Sequence, residues 1–229
     1  MRRLKWLSVA LGALSVLGAA VSTSASASVL PEVLPTSSTT RSWTGESKGE
    51  SSLTVLGSTL TIKCKSGTAE GTEEAGKPLG TAHGTLKECG ATILGIKVAC
   101  TGLGDAAGVI LTLGTWHLVY DTKSPTLGVA VLTLISPEIH FSCSTTLLTV
   151  KGNTLCLGIE PTKRAFTHEG VCKTNGTAGD PQETKYFNDA GTEVAITPLE
   201  VSENGGAFKG AAVEGSGTTT YKVEVFADI

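Results

Sequence analysis

The chain is poor in the features that announce a helical protein or an enzyme. It has one methionine, and aromatic residues make up 5% of it. No Leu/Ala/Glu/Lys stretch of ten residues carries the 3.6-residue period of an amphipathic helix, which excludes a helical bundle. It has no G-x-S-x-G elbow for a serine nucleophile. Its cysteines include no Cys-x₂₋₄-Cys pair and its histidines have no ligand spacing, so a structural zinc site is not indicated. EF-hand and nonapeptide calcium patterns are missing too. GLGDAAG at 102–108 departs from G-x-G-x-x-G and precedes a strand, so it does not signal a phosphate loop. Asp105 and Asp121 lack the spaced oxygen ligands that a calcium site needs. No cofactor is expected.

Basic charge is also in short supply. Lys and Arg number 18 against 21 Asp and Glu. Three of the basic residues, Arg2, Arg3 and Lys5, stand at the front of the apolar run Trp6–Val21, which is followed by Ala25-Ser26-Ala27. This order of positive end, apolar run and small residues is that of a secretory signal peptide cleaved after Ala27. The run is shorter than the roughly twenty residues of a membrane span, and no later stretch is long and apolar enough to span. Cleavage would leave 202 residues with 15 basic against 21 acidic, a formal charge of −6. Nucleic acid is therefore not an expected partner, because phosphate binding needs clustered Lys and Arg.

Six cysteines, Cys64, Cys89, Cys100, Cys143, Cys156 and Cys172, all follow the signal. An even number in an exported chain predicts three disulfides. Fifteen pairings exist, and spacing orders them. Cys89 and Cys100 flank GATILGIKVA, which can fold back on itself, and Cys156 and Cys172 bracket a polar segment. That leaves Cys64 with Cys143, each on the apolar face of an alternating stretch.

Period-two alternation marks the strands. Leu60, Ile62 and Cys64 share one face of TLTIKC, and Ile139, Phe141 and Cys143 share one face of EIHFSC. Trp116, Leu118 and Tyr120 do so in TWHLVY, where they read as core. In TTTYKVEVF, Tyr221, Val223 and Val225 are expected to face in. ATILGIKVAC at 91–100 reads as one strand with a bend at Gly95. KSGTAEGTEEAGKPLG at 65–80 reads as a polar, glycine-rich loop or hairpin tip, and GSG at 215–217 as a tight connection. Many short strands with glycine-rich turns predict an all-β, antiparallel, disulfide-stapled sandwich or barrel-like fold. The expected organisation is a signal peptide at 1–27 and a flexible leader at 28–50, within which only Trp43 looks able to dock. A main β domain at 51–160 and a β-rich extension or small second β module at 161–229 follow.

Acids and histidines are the remaining candidates for chemistry. Glu73, Glu74, Glu193, Glu200 and Glu203 are available to a glycosidase, but the sequence pairs none of them across a cleft. His117 and His140 point away from the apolar sets and are expected at the surface. Asn175-Gly176-Thr177 is an acceptor for N-linked glycan in a host that has the machinery.

The cysteine and glycine placement in CKSGTAEGT (64–72), GTLKECG (84–90), VACTGLGDAAGVILT (98–112) and IHFSC (139–143), behind a signal peptide, resembles uncharacterised exported proteins of soil actinobacteria. The resemblance covers roughly residues 55–160. It implies secretion and a β fold and carries over no functional residue.

The sequence thus reads as a secreted or cell-surface β-rich scaffold without enzymatic activity, meeting the cell envelope, a glycan or a protein. A soluble glycan- or small-molecule-binding module and a secreted hydrolase are the alternatives. A concave pocket lined by Trp116 would favour the binding module.

Overall fold

A computed structural model describes residues 32–34, 38–75, 77, 79–120, 129–157, 163–172, 185–187 and 191–228. The expected signal peptide, Asp121 and the Asn175 triplet lie outside the described residues. Fourteen strands and no helix occur among those described. They are β1 (Glu32–Leu34), β2 (Arg41–Ser47), β3 (Ser51–Val55), β4 (Thr61–Glu73), β5 (Leu79–Ile93), β6 (Ile96–Gly102), β7 (Ile110–Tyr120) and β8 (Val129–Cys143). The rest are β9 (Thr146–Leu157), β10 (Ala165–Cys172), β11 (Lys185–Phe187), β12 (Glu193–Ala195), β13 (Glu200–Glu203) and β14 (Lys209–Asp228). The protein is all-β, and its sheet pairings are antiparallel.

The pairing closes on itself twice. One ring runs β2–β4–β5–β7–β8–β9–β10–β14 and back to β2. A second runs β3–β4–β5–β6–β8–β9–β13–β14 and back to β3. The long strands β4, β5, β8, β9 and β14 pass through both. The rings therefore stack end to end, the first as a cup and the second as a base. Closure removes the unpaired strand edges on which other chains pair.

At the waist between them the inward face changes parity. Ile62 and Cys64 point into the base, whereas Gly67 and Ala69 line the cup; Leu86 and Cys89 bracket the same switch on β5. Glu88 takes a left-handed φ of 50° there, and Lys65 bridges to its carboxylate at 2.5 Å on the outside.

The base is filled. Fifteen buried residues form its core, among them Val55, Ile62, Phe141, Leu148, Val150 and Val201. Burying each such large side chain contributes about 1.5–3 kcal/mol, which makes the base the main store of stability. Two disulfides cross it, Cys64–Cys89 and Cys100–Cys143, while Cys156–Cys172 belongs to the cup. The expected pairs Cys64–Cys143 and Cys89–Cys100 do not form. Cys64 lies directly opposite Cys89 in the β4–β5 register, and Cys100 directly opposite Cys143 in the β6–β8 register. β5 and β6 separate Cys64 from Cys143. Cys89 is drawn off Cys100 where its N–H donates to Gly108 O, beside the turn at Glu88. Cys156–Cys172 forms as expected.

Other expectations shift for equally local reasons. Leu94 and Gly95 both have positive φ, so they make a two-residue hairpin turn that splits 91–100 into β5 and β6. The stretch read as a flexible leader contains β2, which pairs with β14 on one edge and β4 on the other. Strands after residue 161 pair with β2, β3 and β9, so they interleave with the main sheet rather than forming a second module. The 65–80 loop is the end of β4, its turn and the start of β5, and GSG at 215–217 lies within β14. Val223 is 45% exposed, because the β10–β14 register shifts between Ala165 and Thr167 and turns that residue outward.

Candidate functional site

The cup is built from different residues than the base. Inward positions on β2, β4, β5, β10 and β14 carry Gly45, Gly67, Gly84, Gly170, Gly215 and Gly217, with Ser47, Ala69 and Ala82 between them. These positions keep the strand alternation but bring no bulk. Their ladder hydrogen bonds keep the backbone satisfied, so the wall is peptide plane rather than exposed polar group. What remains is a cavity of about 390 Å³, within the range of roughly 300–1,000 Å³ typical of small-molecule sites.

Its two ends are apolar. Toward the base lie Leu86 and Val213. The other end is closed by Trp43, Trp116, Leu118 and Tyr221, packed with Val225 as a second cluster. Trp43 meets Trp116 edge to face, with centroids 6.5 Å apart. Trp116 is anchored by its indole N–H, which donates to Thr72 O at 3.0 Å. Trp43 lies over Gly71, where an added Cβ would stand 2.3 Å from Cζ2, so only glycine seats that indole. Trp43 thus docks in the cup, and Trp116 and Tyr120 are buried as expected.

Polar groups in the lumen are few and neutral. Thr112, Thr133 and Thr219 supply hydroxyls, and the Cys156–Cys172 disulfide forms part of the wall. Glu46, Glu169 and Glu214 lie in the strands that border the cavity, and all three are exposed. Hydrogen bonding from Lys48 holds the Glu169 carboxyl below its ordinary range.

His168 is buried in the wall. Its Nε2–H is shared between Ala165 O at 3.2 Å and Val225 O at 3.0 Å. Both bonds require the Nε2-protonated tautomer. The ring stitches the register shift between β10 and β14, a structural role. His168→Ala is expected to cost about 1–3 kcal/mol, since two buried carbonyls lose their donor. Urea unfolding monitored by tryptophan fluorescence would measure it, and an unchanged midpoint would refute the stitch.

The residues weighed for catalysis are dispersed. His140 is exposed and shares a hydrogen bond with Thr149 Oγ1 at 3.1 Å. His117 is not at the open surface. It lies half-buried against Tyr186 of β11, rings T-shaped at 6.2 Å, and burial lowers its pKa. The β11–β12 pair covers the outer face of β7 there, burying Val119 as well. Glu74 pairs with Lys77, Glu193 with Lys185, Glu200 with Lys151 and Glu203 with Lys209. Glu73 is buried in an ion pair with Arg41, directly opposite on β2. Asp105 Oδ2 accepts from Leu111 N at 3.0 Å and serves its turn. No cluster of three His, Cys, Asp or Glu able to hold a metal occurs among the described residues.

The lumen is what sequence reasoning missed. Its signal was a small residue at every second position, as in Gly67-x-Ala69-x-Gly71, Ala82-x-Gly84 and Gly215-x-Gly217. No protein-family model matches this chain, and no curated protein or solved structure does either.

Proposed function

We propose that the protein is an exported, non-enzymatic binding barrel that holds one small, uncharged and mainly apolar molecule in its cup. The cavity carries this reading: about 390 Å³, walled by glycine backbone, closed at the end away from the base by Trp43 and Trp116, and free of charged side chains along its middle. The base supplies the scaffold. Three disulfides suit an oxidising extracellular setting and agree with the signal-like start. The small-molecule alternative therefore moves ahead of a purely surface-presenting scaffold. A glycan fits less well, because the two indoles are packed edge to face inside the cup instead of forming an exposed stacking platform. Turnover has little support, since the candidate acids and histidines are engaged with lysines, arginine, carbonyls or a neighbouring hydroxyl.

The test is titration of the mature protein with N-phenyl-1-naphthylamine, a neutral apolar fluorophore that accepts energy from tryptophan. Trp43 and Trp116 are the only tryptophans after residue 27. Saturable one-to-one binding with energy transfer is expected. Linear, non-saturating uptake would overturn the proposal.

A further inference from the structure

The three disulfides sit in different surroundings. Cys64, Cys89, Cys100 and Cys143 are at most 4% exposed within the core of the base. Cys156 and Cys172 are half-buried, and both line the cup cavity. Their bond joins β9 to β10, the seam at which the first ring closes. Among the described residues, β10 pairs with β14 at seven positions, whereas its pairing with β9 is Val171↔Leu157, immediately beside the disulfide. Among the described residues, the cup's apolar cluster has four buried members and the base's has fifteen.

From this we infer that Cys156–Cys172 is a thiol-exchange site and acts as a reducible latch on the cup. Its co-reactant is a dithiol. One thiolate of the reductant attacks a sulfur of the bridge, forming a mixed disulfide and expelling the other cysteine as thiolate. The second thiol of the reductant then displaces the remaining cysteine. The reductant leaves as its own disulfide, and its two protons end on Cys156 and Cys172. Exchange requires access to sulfur, and Cys156 and Cys172 are half-buried and line the cavity, whereas the four cysteines of the base are buried. With the bond open, Val171↔Leu157 is the β9–β10 pairing that remains among the described residues, and we infer that the seam can part there. Loss of the latch widens the lumen without touching the base.

Chemically, the latch is independent of what the cup binds; only its consequence for a ligand rests on the binding proposal. The experiment separates the two. Folded oxidised protein is exposed to graded dithiothreitol without denaturant, alkylated with N-ethylmaleimide and mapped by peptide mass. Cys156 and Cys172 are expected to be labelled roughly tenfold faster or more than the other four, since access governs the rate. Amide hydrogen exchange on the partly reduced protein should rise in β9 near Leu157 and in β10, with β4–β5 and β6–β8 protection unchanged. Parallel labelling of all six cysteines would overturn the latch, and so would labelling confined to Cys64, Cys89, Cys100 or Cys143. Selective reduction with no change in β10 exchange would overturn it as well. The double variant Cys156→Ser/Cys172→Ser supplies a check: it should show the fast β10 exchange without reductant and no further response to it. N-phenyl-1-naphthylamine titration before and after reduction reports on the cup. Failure of the oxidised protein to bind the probe rejects the binding proposal, while labelling and exchange still decide the latch.

Discussion

Ala69→Phe is expected to abolish probe binding while leaving the protein folded. Ala69 points into the cup from β4, opposite Gly45 on one neighbouring strand and Gly84 on the other. A phenyl ring at this position meets hydrogen on both sides rather than another side chain, so it can lie along the glycine wall and occupy the middle of the cavity. The backbone already carries a Cβ there in strand geometry, so no conformational penalty is added. Covering apolar surface that otherwise faces the lumen should leave stability unchanged or raise it by about 1 kcal/mol. Affinity should fall at least about 100-fold, a loss near 2.7 kcal/mol, because the ring takes the volume the probe needs. His83→Phe adds the same ring to the outer wall, where residue 83 is exposed, and should bind as wild type. Unimpaired binding by folded Ala69→Phe would place the probe elsewhere and remove the lumen from consideration.

The glycine wall also explains how much could be read in advance. Strands in the base alternate large apolar and polar residues, as in Leu60, Ile62 and Cys64, so period two betrays them. Strands in the cup alternate small and polar residues. Gly67, Ala69 and Gly71 have no hydrophobic signature, and glycine is the residue most associated with turns. The same residues that make the cavity therefore disguise the strands that enclose it, and 65–80 and 215–217 read as connections. The disulfides failed for a different reason. A sheet disulfide follows register, and register depends on the Leu94–Gly95 turn and the shift at Glu88, which fix who faces whom across β4, β5, β6 and β8. His117 looked exposed because its own strand is legible, while the β11–β12 cover comes from residues 185–195, remote in sequence.

The largest expected loss of stability comes from Arg41→Met. Arg41 and Glu73 form an ion pair with side chains only 11% and 4% exposed, inward-facing on β2 and β4, one inward position beyond Trp43 and Gly71. Glu73 Oε2 is buried with no hydrogen-bond partner among the described residues. Burial raises the Glu73 carboxyl above its ordinary 4.5, and the Arg41 guanidinium opposes that rise through its hydrogen bond and charge. Removing Arg41 leaves an uncompensated buried carboxylate, a change that typically costs about 3–5 kcal/mol. The double variant Arg41→Met/Glu73→Leu replaces the pair by apolar bulk and should lie within about 1 kcal/mol of wild type or be more stable. The sign of the pH dependence follows from the raised carboxyl. A group held above its unfolded value stabilises the fold while protonated, and that contribution is lost as pH rises through the folded value. Without Arg41 the folded value climbs further, so the window opens above 4.5 and extends upward. The Arg41→Met deficit should therefore be greatest near neutral pH and shrink as pH falls toward 4.5. Urea unfolding of wild type, both single variants and the double variant across that range would measure it. A deficit that grows on acidification would mean that the guanidinium is held by groups other than Glu73, and the coupling between the two residues would then be absent from the cycle.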